Sequence, residues 1–200
     1  MDKKIFLQGL LLGYAISANA FFVGFEQTLY NKSTNKTDID NGTITTETTS
    51  NVSSFKIGSR NGDENSNRVE FVYNANEKTT NPIVGKDKKL LSFGINYNIT
   101  LERMKPVESI VPYVRLGASY SISDQKYRNI YDGKEYNYSA AGLLGGIGTY
   151  YNINKNLDLS LGFDVGYRQW QDLYYGNKKM SSTENFSKFY IGTSYNFSSK

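Results

Sequence analysis

The sequence predicts an all-β protein, namely an eight-stranded antiparallel up-and-down transmembrane β-barrel preceded by a signal peptide. Three observations predict it: a composition that favours strands, a short apolar segment at the N-terminus, and a series of segments in which apolar and polar residues alternate. The chain has 200 residues, with 17 Tyr, 11 Phe and 18 Gly but only 3 Pro. Its aromatic fraction of 14% is too high for a disordered chain.

The composition also excludes several classes of function. The formal net charge is +4 and no run of Lys or Arg is present, so nucleic acid is not expected as a partner. Cys is absent, so the fold cannot depend on disulfides. His is absent too, which removes the most common general base near neutral pH, and no metal-ligand spacing appears. We therefore expect no enzyme activity, no catalytic residue, no cofactor and no metal.

The first 20 residues have the pattern of a cleavable signal peptide. Lys3 and Lys4 precede a short apolar stretch, residues 5–16, and Ala18 and Ala20 occupy the positions of a small-x-small cleavage site. A transmembrane anchor would need about 20 apolar residues, and this stretch is shorter. We therefore expect a signal peptide over residues 1–20 and a β-barrel domain over residues 21–200.

Eight segments of the remaining chain alternate between an apolar and a polar face. In the clearest segment, residues 157–170, Leu161 and Phe163 share one face while Ser160 and Asp164 share the other. Alternation of this length is typical of strands that separate two environments. The predicted strands are residues 21–30, 52–60, 68–76, 89–101, 111–122, 138–153, 157–170 and 185–197.

The predicted connections between these strands alternate in length. The first long connection is rich in Thr and Asn, which is typical of a solvated, mobile loop. An even number of strands, with long loops at one end and short turns at the other, is the pattern of outer-membrane barrels. The long connections are residues 31–51, 77–88, 123–137 and 171–184, and the short ones are residues 61–67, 102–110 and 154–156.

Alternation alone does not say which face points outward. A soluble lipocalin-like barrel would enclose a ligand with its apolar face. The polar face here carries both signs of charge and many Gly and Ser, a combination that suits paired packing inside a narrow barrel. We therefore expect the apolar face to contact lipid, with aromatic residues such as Tyr151, Tyr167 and Trp170 near the membrane interfaces. The expected interior charges are Glu26, Lys56, Arg60, Arg68, Glu70, Arg115, Asp158, Asp164, Arg168 and Lys188.

Together, the signal peptide, the eight alternating strands and the final segment KFYIGTSYNF resemble the small outer-membrane barrels of the OmpA, OmpX and opacity-protein type. The resemblance implies a location in the outer membrane of a Gram-negative bacterium, with outer-membrane lipid as a partner and no peptidoglycan-binding domain. It also implies that Phe189, Tyr195 and Phe197 belong to a C-terminal signal for the barrel-assembly machinery.

The sequence leaves two functions open for such a barrel. We favour an integral outer-membrane protein with a structural and surface-interaction (adhesin-like) role, in which long extracellular loops bind a host or cell-surface ligand. The alternative is a narrow or gated pore, because eight strands leave an interior only just wide enough for side chains. Enzymes built on outer-membrane barrels resemble one another in needing a catalytic His, which this chain lacks.

Overall fold

A single antiparallel sheet contains the ten strands of the part of the chain that the structure describes, and this sheet closes on itself. The structure is a computed structural model that describes residues 20–39, 42–60, 67–81, 86–128, 133, 135–175 and 178–198. The predicted signal peptide lies outside these residues except for Ala20, so cleavage at the site formed by Ala18 and Ala20 stays a prediction. No helix within the described ranges is long and apolar enough to cross a bilayer.

Ten strands follow one another along the described part of the chain. A short 3₁₀ helix, Glu102–Met104, separates the fifth strand from the sixth. The strands are β1 (Ala20–Ile39), β2 (Gly42–Thr49), β3 (Ser53–Arg60), β4 (Arg68–Asn81), β5 (Lys86–Thr100), β6 (Ile110–Arg128), β7 (Glu135–Asn152), β8 (Leu157–Trp170), β9 (Leu173–Tyr175) and β10 (Lys178–Ser198). The eight strands of the barrel wall alternate in direction, while β2 runs in the direction of β3 and β9 in the direction of β8.

Eight of these strands form the wall of the barrel. They follow the order β1-β3-β4-β5-β6-β7-β8-β10, and β10 pairs with β1 to close the wall, from Ala20 opposite Ser198 to Ile39 opposite Met180. The other two strands extend the wall, since β2 pairs with the second half of β1 and β9 pairs with the start of β10. The predicted eight-stranded antiparallel barrel is confirmed. We call the end that carries Ala20 and Ser198 the terminal end, and the opposite end the loop end.

The barrel turns its apolar face outward. Leu161 is 42% exposed whereas the adjacent Ser160 is 2% exposed, and Phe163 and Asp164 differ in the same way. The expected orientation is therefore confirmed, and the lipocalin alternative is wrong because the apolar face does not line the interior. Outward-facing apolar side chains include Val23, Phe25, Phe55, Ile57, Phe93, Ile95, Leu116, Leu143, Ile147, Leu161, Phe163 and Ile191.

The prediction of a long loop over residues 31–51 is wrong, because the wall of the barrel continues through this segment. Residues 31–51 contain half of β1 and all of β2. Ser33, Asn35 and Thr37 are buried inside this continued wall, and Thr37 Oγ1 lies 2.6 Å from Ser182 Oγ on β10. A Thr- and Asn-rich segment has the composition of a solvated loop, but its hydroxyl and amide groups also bond to each other across paired strands.

The other long loops are shortened for the same reason. The strand β4 continues to Asn81 and β5 begins at Lys86. In the same way, β6 continues to Arg128 and β7 begins at Glu135. In the segment predicted as the loop 171–184, β9 and the start of β10 form a small hairpin. The loop end is therefore built largely of paired backbone rather than of mobile loops.

One aromatic residue of the predicted interfacial girdle is also misplaced. Tyr151 and Tyr167 face outward and are 48% and 45% exposed, as expected, but Trp170 is 1% exposed. Trp170 has the same parity along β8 as Arg168, so alternation turns it into the barrel. Its ring stacks on Tyr138 of β7 with a centroid separation of 4.6 Å.

Candidate functional site

The centre of the barrel interior holds a network of charges around Arg115 of β6. The guanidinium group donates from Nη2 to Glu26 Oε1 at 3.0 Å and to Glu70 Oε2 at 3.2 Å, and from Nη1 to Asp164 Oδ2 at 3.2 Å. Its Nε donates to Asn98 Oδ1 at 2.9 Å. One side chain therefore joins β6 to β1, β4, β5 and β8 through the lumen.

Two lysines complete the charge balance of this network. Lys56 Nζ lies 2.7 Å from Glu26 Oε1 and 3.4 Å from Glu70 Oε1, while Lys188 Nζ lies 3.2 Å from Asp164 Oδ2. The network contains three carboxylates and three cations, so it is neutral as a whole. Buried ions need such pairing because an unpaired charge in a low-dielectric interior is costly.

A second ion pair closes the interior toward the terminal end. Arg68 Nη1 donates to Asp158 Oδ2 at 3.0 Å, and Asn196 Nδ2 donates to the same oxygen at 2.9 Å. The Arg68 guanidinium also lies over the ring of Tyr150, 3.8 Å from its centroid, which is a favourable cation–π arrangement. These side chains fill the cross-section of the barrel between β4, β7, β8 and β10.

A third charge cluster lies toward the loop end. Arg168 bonds to Glu77 through Nη2 and lies 3.7 Å from Glu184 through Nη1. Trp170 Nε1 donates to Glu184 Oε2 at 3.0 Å, so this carboxylate also receives a neutral donor. Arg168 is the cation that both carboxylates share, so the cluster depends on this one side chain.

Above this cluster, an apolar cap closes the loop end of the interior. The cap joins side chains from five wall strands and from β9, and Trp170 forms its base next to the Arg168 cluster. These buried side chains place an apolar layer next to the Arg168 cluster, and the lower local dielectric strengthens its ionic contacts. The cap consists of Leu90, Tyr138, Ala140, Trp170, Leu173 and Met180, with Ile39 packed against it.

The glycine-rich segment of β7 makes room for these charges. A Cβ atom at Gly146 would lie 2.0 Å from Asp164 Oδ1, so the carboxylate occupies the space that a side chain would need. Gly162 on β8 has the same function beside the hydroxyl of Tyr190, which a Cβ atom would approach to 2.3 Å. Gly142, Gly146 and Gly148 therefore lie on the inner face of β7 and relieve crowding in the lumen.

The structure places all the predicted interior charges on the inner face of the wall. Each of these side chains is less than 8% exposed, and Arg60 is joined to the turn at the terminal end by a 3.5 Å hydrogen bond to the Lys155 carbonyl. Sequence reasoning missed Glu77 and Glu184, which are buried as well. Both fell in segments predicted as loops, so alternation was not followed as far as these positions.

The predicted C-terminal signal lies on the outer face of β10. Tyr195 and Phe197 are 48% and 47% exposed and their rings contact each other, while Phe189 is half-buried. Their role in assembly stays a prediction. The described residues contain no group of three or more His, Cys, Asp or Glu side chains arranged to hold a metal ion.

Surface ion pairs surround the loop end. Lys32 lies 2.8 Å from Glu47, Lys126 lies 3.4 Å from Glu135, and Lys179 lies 3.0 Å from Asp172. Hydrogen bonds from Ser181 and Lys179 hold the pKa of the Asp172 carboxyl below its ordinary value. These exposed pairs contrast with the interior network, because solvent screens them and reduces their contribution to stability.

An outward apolar face, a closed ring of eight strands and a polar interior define a β-barrel of the transmembrane type. No protein-family model matches the chain, and no curated protein matches it by sequence.

Solved structures with the same fold support this class. The crystal structure of Neisserial surface protein A is 18% identical over 89% of this chain and 99% of its own, with a TM-score of 0.50. The outer-membrane protein OprG from Pseudomonas aeruginosa is 15% identical over 91% of this chain and 97% of its own, with a TM-score of 0.51. The fold is that of the small outer-membrane barrels which the sequence resembles.

Proposed function

We propose that this protein is a closed outer-membrane barrel that presents a rigid β-sheet surface at its loop end for interaction with a ligand at the cell surface. Export by the signal peptide of residues 1–20 and exposure of the loop end to the cell exterior are parts of this proposal. The observation that best supports this proposal is that side chains fill the interior while the strands continue past the apolar band.

The filled interior supports a closed barrel rather than a pore. Three charge clusters, centred on Arg68, Arg115 and Arg168, follow one another along the lumen. The apolar cap covers the last of them and buries Trp170 and Tyr138. An ion moving through this interior would have to displace paired charges and then cross an apolar layer, and both steps are costly.

The lengths of the strands support a surface role. A tilted strand crosses the hydrocarbon layer with about 9–11 residues. β1 has 20 residues and β10 has 21, so their paired extensions continue far beyond the membrane. On β1 the outward face is apolar up to Tyr30 apart from Gln27, and it is polar from Lys32 onward. A paired sheet holds its side chains in fixed positions, which lowers the entropy lost when a partner binds.

Electrical recording tests the closed interior. We expect the purified protein to give no stepwise conductance in planar lipid bilayers, because its three charge clusters and cap leave no continuous water path. A known porin, inserted under the same conditions, provides the positive control. Reproducible steps from the folded protein, lost after heat denaturation, would contradict the closed barrel and favour the gated pore.

Exposed apolar side chains at the loop end test the surface role. Ile44 on β2 and Tyr174 on β9 are 41% and 50% exposed, and apolar or aromatic anchors commonly dominate binding to protein partners. We expect I44S/Y174S to reduce adhesion of expressing cells to epithelial monolayers by about tenfold.

The matched control removes two exposed apolar side chains from the opposite end. Met104 and Val107 lie near the terminal end and are 68% and 53% exposed. M104S/V107S should leave adhesion unchanged. Equal losses in both variants, at equal surface expression, would show that the loop end is not the adhesive surface.

A further inference from the structure

Two lysines face each other on the outer surface of the barrel, and no carboxylate among the described side chains is paired with either. Lys78 of β4 and Lys89 of β5 are direct partners in the register of the two strands. Their neighbours Thr79 and Lys88 are buried on the inner face, so alternation places Lys78 and Lys89 on the outer face. Like charges directly opposite each other in a sheet are destabilising, because their side chains lie within a few ångströms.

These two lysines differ from three exposed lysines of the loop end that are paired. Lys32, Lys126 and Lys179 each lie within 3.4 Å of a carboxylate. Among the described side chains, neither Lys78 nor Lys89 forms an ion pair. Asp87 lies two positions before Lys89 on β5. The pair therefore presents two adjacent positive charges that a bound anion would neutralise.

A cavity lies beside this lysine pair. Its volume is about 690 Å³, and Asn51 and Asn76 line it together with both lysines and Tyr30. A bulge in β4 forms part of its wall, where Asn76 adopts a positive φ of 62° and the register with β5 shifts. Bulges redirect side chains in this way at functional positions of sheets. Ammonium and amide groups together are donors suited to a phosphate.

The lysine pair lies at the upper edge of the apolar band. Below Lys89 on the outer face of β5 come Leu91, Phe93 and Ile95, which are 43%, 48% and 49% exposed. On β1 the apolar residue Leu29 also lines the cavity and is 58% exposed. A phosphate at the lysines would therefore be at headgroup depth, with acyl chains over the apolar residues beneath it.

We propose that this cavity binds a phosphate group of an outer-leaflet lipid, lipid A, through Lys78 and Lys89. The lipid supplies the negative charge that the lysine pair lacks, and its acyl chains cover the apolar surface around Leu29 and Leu91. Assignment to the outer leaflet rests on the proposed exposure of the loop end to the cell exterior. Binding of lipid A in a reconstituted bilayer does not depend on that orientation or on any adhesive ligand, so this site can be tested separately from the proposed function.

Retention of lipid A by the purified protein tests this site. Protein in phosphatidylcholine nanodiscs, with a chelator present to remove bridging divalent cations, is mixed with bisphosphorylated lipid A, and bound lipid is measured by native mass spectrometry. We expect K78Q/K89Q to retain about tenfold less lipid A than the wild type, because two charges near the membrane surface are lost. Phosphatase treatment removes the phosphate groups of lipid A. The treated lipid should bind the wild type as weakly as intact lipid A binds K78Q/K89Q.

The control variant K126Q/K179Q removes two positive charges from the same end, but from lysines that are already paired. It should retain lipid A as the wild type does. An equal loss in both variants would show nonspecific attraction by net charge, and displacement of lipid A by millimolar inorganic phosphate would show a free-anion site. Either result would overturn the proposal. K78Q/K89Q should remain folded, as judged by heat-dependent migration on a gel, and K89Q alone serves as a milder variant.

Discussion

Replacement of Arg115 by Leu is expected to lower the free energy of unfolding by about 3–5 kcal/mol, the largest effect that we predict for a single side chain. The substitution leaves Glu26, Glu70 and Asp164 in the interior with Lys56 and Lys188 as their only cationic neighbours in the network. One buried carboxylate is then uncompensated, and Asn98 also loses its donor from Arg115. Urea titration in lipid vesicles, followed by Trp fluorescence and gel mobility, measures the effect.

Two further variants separate the charge effect from loss of packing. R115L/E70Q removes the excess carboxylate, so it should recover part of the stability lost in R115L. K126Q breaks the exposed pair with Glu135, whose side chains are 61% and 58% exposed, and should change stability by less than about 1 kcal/mol. An R115L protein as stable as the wild type would mean that the interior does not depend on a balanced network.

Replacement of Leu161 by Arg is expected to lower the free energy of unfolding by about 2–4 kcal/mol, because it places a charge on the lipid face near the middle of the bilayer. Leu161 lies in the middle of the outward apolar residues of β8, between Leu157 and Tyr167. The matched control is Q169R, on the same strand and the same face but beyond the apolar band. Q169R should lower the free energy of unfolding by only about 0–1 kcal/mol, because a charge near the membrane interface remains in contact with water.

Folding titrations into lipid vesicles compare the two Arg variants directly. Equal stability of L161R and Q169R would contradict the assignment of the outer face to lipid. Spin labels at positions 160 and 161 give a second measurement, since only the label at position 161 should be accessible to a lipid-soluble relaxing agent. The reverse pattern would mean that the inner and outer faces are exchanged.

The strands and their faces could be predicted because each strand separates two different environments. Alternation along residues 111–122 and 157–170 determines which side chains face outward, and it assigns Arg115 and Asp164 to the interior without knowledge of their partners. The partners themselves could not be predicted. Arg115 on β6 contacts Glu26 on β1 across the lumen, and which residues meet there depends on strand tilt and stagger.

The ends of the strands could not be predicted either, since a strand does not have to end where the membrane ends. Ser33, Asn35 and Thr37 are polar on the inner face because the extended wall encloses other polar groups. The same composition suits a solvated loop, so the segment was assigned to one. Glu77 and Glu184 lie in two other segments that the sequence predicts as loops, 77–88 and 171–184, so alternation does not assign them to the interior.

The pairing of β1 with β10 has a consequence for biosynthesis. Ala20 lies opposite Ser198, so the first contact of this ladder joins residues from the two ends of the described chain. Contacts between such distant residues carry a large loop-closure entropy and slow the search for the native topology. Until the last strand arrives, β1 and the growing sheet expose two unsatisfied edges, which can pair with other chains. Closure of the barrel therefore requires both β1 and β10, and a chain truncated before β10 is expected to aggregate rather than to form a smaller barrel.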